Sequence, residues 1–287
     1  MKRPLEIMAE EKAMRTIVGL TSAFESLSSM KIVLTKRAVL NSNIFFTDVW
    51  NIYKNIRVDG MFQFGRDPGE TPIDKELYIL ITAPAGLSGD IDQRLINLVR
   101  KSYDPEKHDI IVIGKHGAQQ LQQANIMYKR YFDLPKKDEF SVEPILAIVK
   151  KYRETRVFYQ SYVSMMTQDV RSLRLKDVIE TKGAGSAGGD VINEVTYIFE
   201  PNPLVVVAHM ETSMMRLALL QMIYDSRLAQ HASRFKAMSA AKQRAEEEVA
   251  ALHMRYNRAK RGIVDQRLKE ISAGLKKVRA ANAEGGE

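Results

Sequence analysis

Histidines are the first place to look for metal or acid–base chemistry, and this chain has five: His108, His116, His209, His231 and His253. None stands at H-x-x-x-H or H-x-E spacing, the patterns that would set two ligands, or a ligand and a base, on one helical face. With no cysteine, the chain has no thiolate ligand, disulfide or thiol nucleophile. Gly86 and Gly89 follow an apolar run but lack the G-x-G-x-x-G spacing that cradles a dinucleotide. The stretch Gly183 to Gly189 (GAGSAGG) has neither a Lys-Ser/Thr pair nor a helical pattern after it, so it reads as a hairpin connection rather than a phosphate loop. Gly86, Ser88, Lys115 and His116 remain as the convergent polar set of a conceivable α/β active site. The residues thus predict no cofactor, no metal and no catalytic constellation. An α/β enzyme with helical oligomerisation arms is the alternative reading.

The elements that position these residues form an α/β middle. Leu77 to Thr82 (LYILIT) is a continuous apolar strand of the kind buried on both faces of a parallel sheet, and Asp109 to Gly114 (DIIVIG) is a second. Ile91 to Lys101, His116 to Gln123 and Pro144 to Tyr152 read as helices. Two further strand-like runs lie near Val178 and from Val195 to Phe199. Strand–helix alternation predicts βαβ units and an open, mostly parallel sheet. The Met-rich stretch Met210 to Met222 reads as adaptable core packing.

The chain ends predict something else. From Leu204 to Ala283 there is no proline, and the only glycines are Gly262 and Gly274. Phe235, Met238, Ala245, Val249, Leu252, Tyr256, Ala259 and Ile263 recur at three- and four-residue steps, the seam of a coiled coil. Eighty such residues would span roughly 120 Å as one helix. The stretch from Leu5 to Asp67 is also free of proline, and Ile17, Leu20, Phe24, Leu27 and Leu34 keep the same period. Lys31 and Lys242 fall on these seams, where a lysine fixes register or faces an acidic partner. The expected fold is therefore an α/β protein: a long antiparallel coiled coil of N- and C-terminal helices with an inserted Rossmann-like α/β domain. The expected domains are residues 1–60, 75–200 and 204–287.

Composition narrows the function. An apolar content of 45% supports a packed core. The run Pro203 to Ile223 is broken by His209, Glu211 and Arg216, so it is not a membrane span. Glu6, Glu10 and Glu11 argue against a targeting peptide, so a cytoplasmic protein beginning near Met1 is expected. The formal charge is +8, and residues 227 to 280 hold fourteen Lys/Arg against five Asp/Glu, so the basicity sits on the last helix. Its aromatics, Phe235 and Tyr256, lie on the seam rather than free for base stacking, so nucleic-acid binding lacks support, and a solvated helix face or an acidic protein partner explains the charge equally well. Arg255 to Arg279 carries nine basic and two acidic residues, expected to point outward from a seam filled by the partner helix.

These residues resemble the γ subunit of F-type ATP synthases. Ser233 to Met238 (SRFKAM) is similar to that family's S-R-M-x-A-M, and Tyr256 to Arg261 (YNRAKR) to its Y-N-K/R-A-R-Q. Glu270-Ile271 and Gly274 fall on E-I-x-x-G. Phe199-Glu200-Pro201 resembles its strand-ending E-P, Leu20 to Phe24 its I-T-x-A-M, and Ile81 to Gly89 (ITAPAGLSG) its strand and G-L-C/S-G-G loop. Departures include Asp90 for a glycine, Phe24 and Phe235 for methionines, Val33-Leu34 for two basic residues, and Asp265 and Arg267 for Thr and Glu. The chain resembles a divergent or paralogous member.

The resemblance implies a non-catalytic rotor shaft standing inside a ring of alternating α and β subunits and biasing their nucleotide sites as it turns. It implies contact with the surrounding β subunits through Phe24, Lys31, Arg234, Met238, Lys260 and Arg261. It further implies an ε-type partner, a membrane c-ring reached through the foot around Pro201 to Glu211, and a peripheral position on the cytoplasmic face of the plasma membrane.

Overall fold

In the computed structural model of the protein, residues 3–56, 71–84, 86–134, 141–178, 200 and 203–284 are described. The chain divides into two compact units, Ser26–Ala237 on one hand and Met1–Glu25 with Met238–Glu287 on the other. Two long helices, α1 (Pro4–Ile56) and α5 (Pro203–Glu284), contribute to both.

The larger unit is built on a five-stranded sheet. Its elements are β1 (Ile73–Ile81), α2 (Ile91–Ser102), β2 (His108–Ile113), α3 (Lys115–Gln123), β3 (Arg130–Phe132), α4 (Glu143–Val149), β4 (Tyr152–Tyr162) and β5 (Gln168–Arg174). The strand order is β3-β2-β1-β4-β5. The pairings β1–β2, β2–β3 and β1–β4 are parallel, and β5 is added antiparallel to β4. The mostly parallel sheet expected from the apolar runs is present.

Both faces of the central strands are covered, which is why they read as unbroken apolar runs. Leu77, Ile79, Ile81, Ile111, Ile113 and Val157 face a core shared with α4, with Phe46, Trp50 and Tyr53 of α1, and with Met214, Met215, Ala218, Leu219, Met222 and Ile223 of α5. Tyr78, Leu80, Ile110, Val112 and Phe158 face α2 and α3 through Leu95, Ile96, Val99, Ala118 and Leu121. The methionines of α5 do fill the core.

Two expectations change here. The third short helix ends at Val149, and Tyr152 opens β4, an eleven-residue strand without a long apolar run because Arg153 and Glu154 are exposed near its start and the buried Gln160 and Ser161 are polar. The strand expected near Val178 lies earlier, at Gln168–Arg174, and residues 175–178 are helical. Val195 to Phe199 and Gly183 to Gly189 lie outside the described residues.

The smaller unit is an antiparallel helix pair. His253 of α5 lies 3.5 Å from Glu11 of α1, and Lys242 lies 3.2 Å from Glu25, so one helix rises in number as the other falls. On α5, Met238, Ala245 and Leu252 are buried and Val249, Tyr256 and Ala259 half-buried, as the seam predicts.

On α1 the seam differs from the expected one. Ile7, Glu11 and Thr21 are buried and Met14, Val18 and Glu25 half-buried, while Ile17, Leu20 and Phe24 are 39–55% exposed. Within the larger unit the same period continues inward through Ser28 and Ile32, leaving Leu27, Lys31 and Leu34 exposed. The α1 sequence carries two stripes one residue apart; the buried one also holds Ile7, Met14 and Ile32, and its Glu25 meets Lys242 of α5. Thr21 suits this position: its hydroxyl donates to the carbonyls of Ile17 and Val18 within its own helix. By length and composition alone, Pro4–Tyr53 of α1 is long and apolar enough to cross a membrane. Lys31 is thus not a seam residue.

Candidate functional site

Chemistry-bearing residues gather first at the C-terminal ends of β1 and β4, where the strand order reverses and open α/β sheets place their ligands. Gly114 and Gly117 bring α3 close to β1. A Cβ on Gly114 would lie 2.3 Å from the Thr82 carbonyl oxygen, and one on Gly117 2.3 Å from Thr82 Cγ2. The Thr82 hydroxyl accepts the Gly117 N–H at 3.1 Å and lies 3.0 Å from the Ile113 carbonyl.

That close approach sets His116 beside Asp92 in the first turn of α2. His116 Nδ1 is 2.7 Å from Asp92 Oδ2, and this hydrogen bond holds the imidazole above its ordinary range. Asp92 is buried and fully engaged: it also accepts the Ala83 N–H at 3.3 Å and Gln160 Nε2 at 2.6 Å. Gln160, on β4, turns its carbonyl to α5, accepting the Ser226 hydroxyl and Gln230 Nε2. One turn further, Ser233 Oγ donates to the Ser88 carbonyl at 2.6 Å. Arg234 donates to Ser88 Oγ at 3.0 Å and to the Gly86 carbonyl at 3.4 Å. The loop they hold contains Leu87 and Gly89, both at φ +68°, a left-handed setting unusual for leucine.

Of the conceivable enzyme set, Gly86, Ser88 and His116 are thus near one strand end, and Lys115 is exposed. The polar atoms of Gly86 and Ser88 are engaged by α5, and those of His116 by Asp92 and Gln120. Ser88 Oγ accepts from the Arg234 guanidinium, which cannot serve as its base, and Asp92 already accepts from His116, the Ala83 N–H and Gln160. The assembly is a joint between sheet and helix. Among the described residues no group of three or more His, Asp and Glu is arranged to hold a metal ion. Asp92, Gln160, Ser226 and Gln230 were not singled out in the sequence. Only an acidic residue in the first turn after a glycine loop could have drawn notice to Asp92.

The second candidate is the surface of the smaller unit's helix pair. Phe24 lies on the outward stripe with Ile17 and Leu20. Met238 is buried in the seam. Past Ala259, α5 runs beyond the level at which α1 begins, and residues 260–276 are exposed throughout. The expectation that α1 fills the seam there is corrected: Ile263, Val264, Leu268, Ile271 and Leu275 are all exposed, beside Lys260, Arg261, Arg267, Lys269 and Lys276. Four of the apolar residues, Val264, Leu268, Ile271 and Leu275, fall on one face at helical spacing. Arg234 and Lys31 belong to the larger unit, on α5 and α1. With Arg227 they surround His231, whose burial and cationic neighbours depress its pKa to about 4.

Comparison with known proteins points the same way. Residues 6–278 match the family model described as ATP synthase. The ATP synthase gamma chain of Streptococcus agalactiae is 25% identical over 285 residues, covering 94% of this chain and 95% of that one. The gamma chain of Clostridium novyi is 23% identical, covering 92% and 94%. In fold, the chain is similar to one from Euglena gracilis mitochondrial ATP synthase (OSCP/F1/c-ring), with a TM-score of 0.60, 14% identity and 96% of each chain covered. It is also similar to a chain of the central stalk and c-ring of Tetrahymena thermophila mitochondrial ATP synthase, with a TM-score of 0.57 and 15% identity, covering 77% of this chain and 99% of that one.

Proposed function

This chain belongs to the ATP synthase gamma-chain family, a family of non-catalytic stalk subunits, and we propose that it couples rotation to nucleotide binding and release in a surrounding hexamer of α and β subunits. One observation supports this most: a helix pair that leaves an apolar stripe and a basic end uncovered. A shaft asymmetric about its axis presents different side chains to each β subunit, and so biases each nucleotide site differently.

Contacts that transmit torque and still release should be individually weak. Exposed ion pairs contribute about 0.2–1 kcal/mol each, and Lys260 and Arg261 against acidic loops of β fit that need. Phe24 and Lys31 are the contacts proposed for α1. Arg234, which braces the Gly86–Gly89 loop, and Met238, on the seam of the helix pair, are also proposed contacts with β. An ε-type subunit and a membrane c-ring complete the proposed partners, on the cytoplasmic face of the plasma membrane, with a role in ion transport. Reconstitution tests the reading: α and β subunits of the same organism should show faster ATP turnover with the chain than without it, and unchanged turnover would contradict it.

A further inference from the structure

The helix α5 changes character where α1 stops supporting it. Between Met238 and Ala259 its seam lies against α1, with Met238, Ala245 and Leu252 buried and Val249, Tyr256 and Ala259 half-buried. From Lys260 to Lys276 every residue is exposed. Among the described residues a single side-chain hydrogen bond is formed past Ala259, from Gln266 Nε2 to Glu270 at 3.1 Å. Helical stability in proteins comes mostly from the packing of an apolar face, and a helical segment without it is marginal in water.

The sequence is weakest at the point of exit. Gly262, Ile263, Val264 and Asp265 are four consecutive residues from the lower part of the helix-propensity ranking. A second glycine follows at Gly274. Neither glycine answers a packing need, since a Cβ built on Gly262 or Gly274 meets nothing within 4 Å. Gly117 is the contrast, where a Cβ would lie 2.3 Å from Thr82 Cγ2. Each of the two α5 glycines therefore lowers helix formation about fivefold relative to alanine, with no compensating contact.

We propose that α5 past Arg261 is a conditional helix: in the chain by itself the segment opens from Gly262–Asp265 onward while the helix pair stays folded. The inference stands on the free chain and does not depend on the proposed coupling function. Its consequence is that a contact made on this end orders the segment as it forms, which lowers the affinity of that contact and keeps it releasable.

Amide hydrogen exchange on the full-length chain, read by mass spectrometry of peptic fragments, tests this directly. Residues 266–276 should exchange within about tenfold of the rate of an unstructured peptide, while residues 245–256 should be protected at least about a hundredfold. Gly262→Ala/Gly274→Ala should slow exchange over 262–276 at least about fivefold and leave 245–256 unchanged. Gly19→Ala, at an equally unhindered glycine of α1 inside the helix pair, should not alter exchange over 262–276. The proposal is overturned if residues 266–276 of the native chain are as protected as 245–256. It is also overturned if the double alanine variant exchanges there no more slowly than the native chain, or if Gly19→Ala slows it as much.

Discussion

Lys242 Nζ lies 3.2 Å from Glu25 Oε2 across the helix pair, with both side chains partly shielded from solvent. A charge pair with this exposure contributes modestly to stability. Glu25→Lys should destabilise the chain, Lys242→Glu should do the same, and the double swap should recover most of the loss. The coupling expected from a double-mutant cycle in urea is about 0.5–1 kcal/mol.

His116 and Asp92 form the buried counterpart, with a sign that follows from the raised imidazole pKa. The folded state holds the proton more tightly than the unfolded chain. The stabilisation is therefore complete below the ordinary histidine range and is lost as pH rises through the folded-state pKa. Urea unfolding should show stability falling from slightly acid to slightly alkaline pH, and His116→Gln should flatten that part of the curve.

His231 should behave oppositely. Its pKa is depressed to about 4, so between about 4 and the ordinary histidine range the unfolded chain binds a proton that the folded one does not. Stability should rise with pH across that window. An NMR titration should find His231 neutral at pH 5.5.

Gly117 tests the tight packing of α3 on β1. Its missing Cβ would fall 2.3 Å from Thr82 Cγ2 and 2.4 Å from Thr82 Oγ1, inside any tolerable contact. Gly117→Ala should cost about 1–3 kcal/mol of stability in a thermal or urea melt, and Thr82→Ala in the same chain should recover part of it.

Much of the fold was legible because it rests on unbroken or periodic apolar runs. Leu77 to Thr82 and Asp109 to Gly114 announce buried parallel strands, and Met238, Ala245 and Leu252 announce a seam. β4 escaped notice because Arg153, Glu154 and Arg156 break up its first half and the buried Gln160 and Ser161 its second. The α1 seam was misassigned for a physical reason: Ile17, Leu20 and Phe24 make a locally more apolar stripe, while the facing follows the whole helix, whose Ile7, Ile32, Phe46, Trp50 and Tyr53 are buried. The polar joint was illegible for the same reason, since Asp92, His116, Gln160 and Ser226 meet only through the fold. The outward placement of Lys260 and Arg261 was legible, although the reason expected for it, a filled seam, does not hold past Ala259.

The exposed end of α5 offers the most direct measurement of the central claim. Lys260→Cys would be the only cysteine in the chain. It would lie on an exposed stretch where a substitution is usually worth under about 0.5 kcal/mol of stability. In a complex with α and β subunits, cross-linking that cysteine to the hexamer should stop ATP turnover, and reduction should restore it, because a shaft tied to its surround cannot turn. Full cross-linking with undiminished turnover would contradict the account.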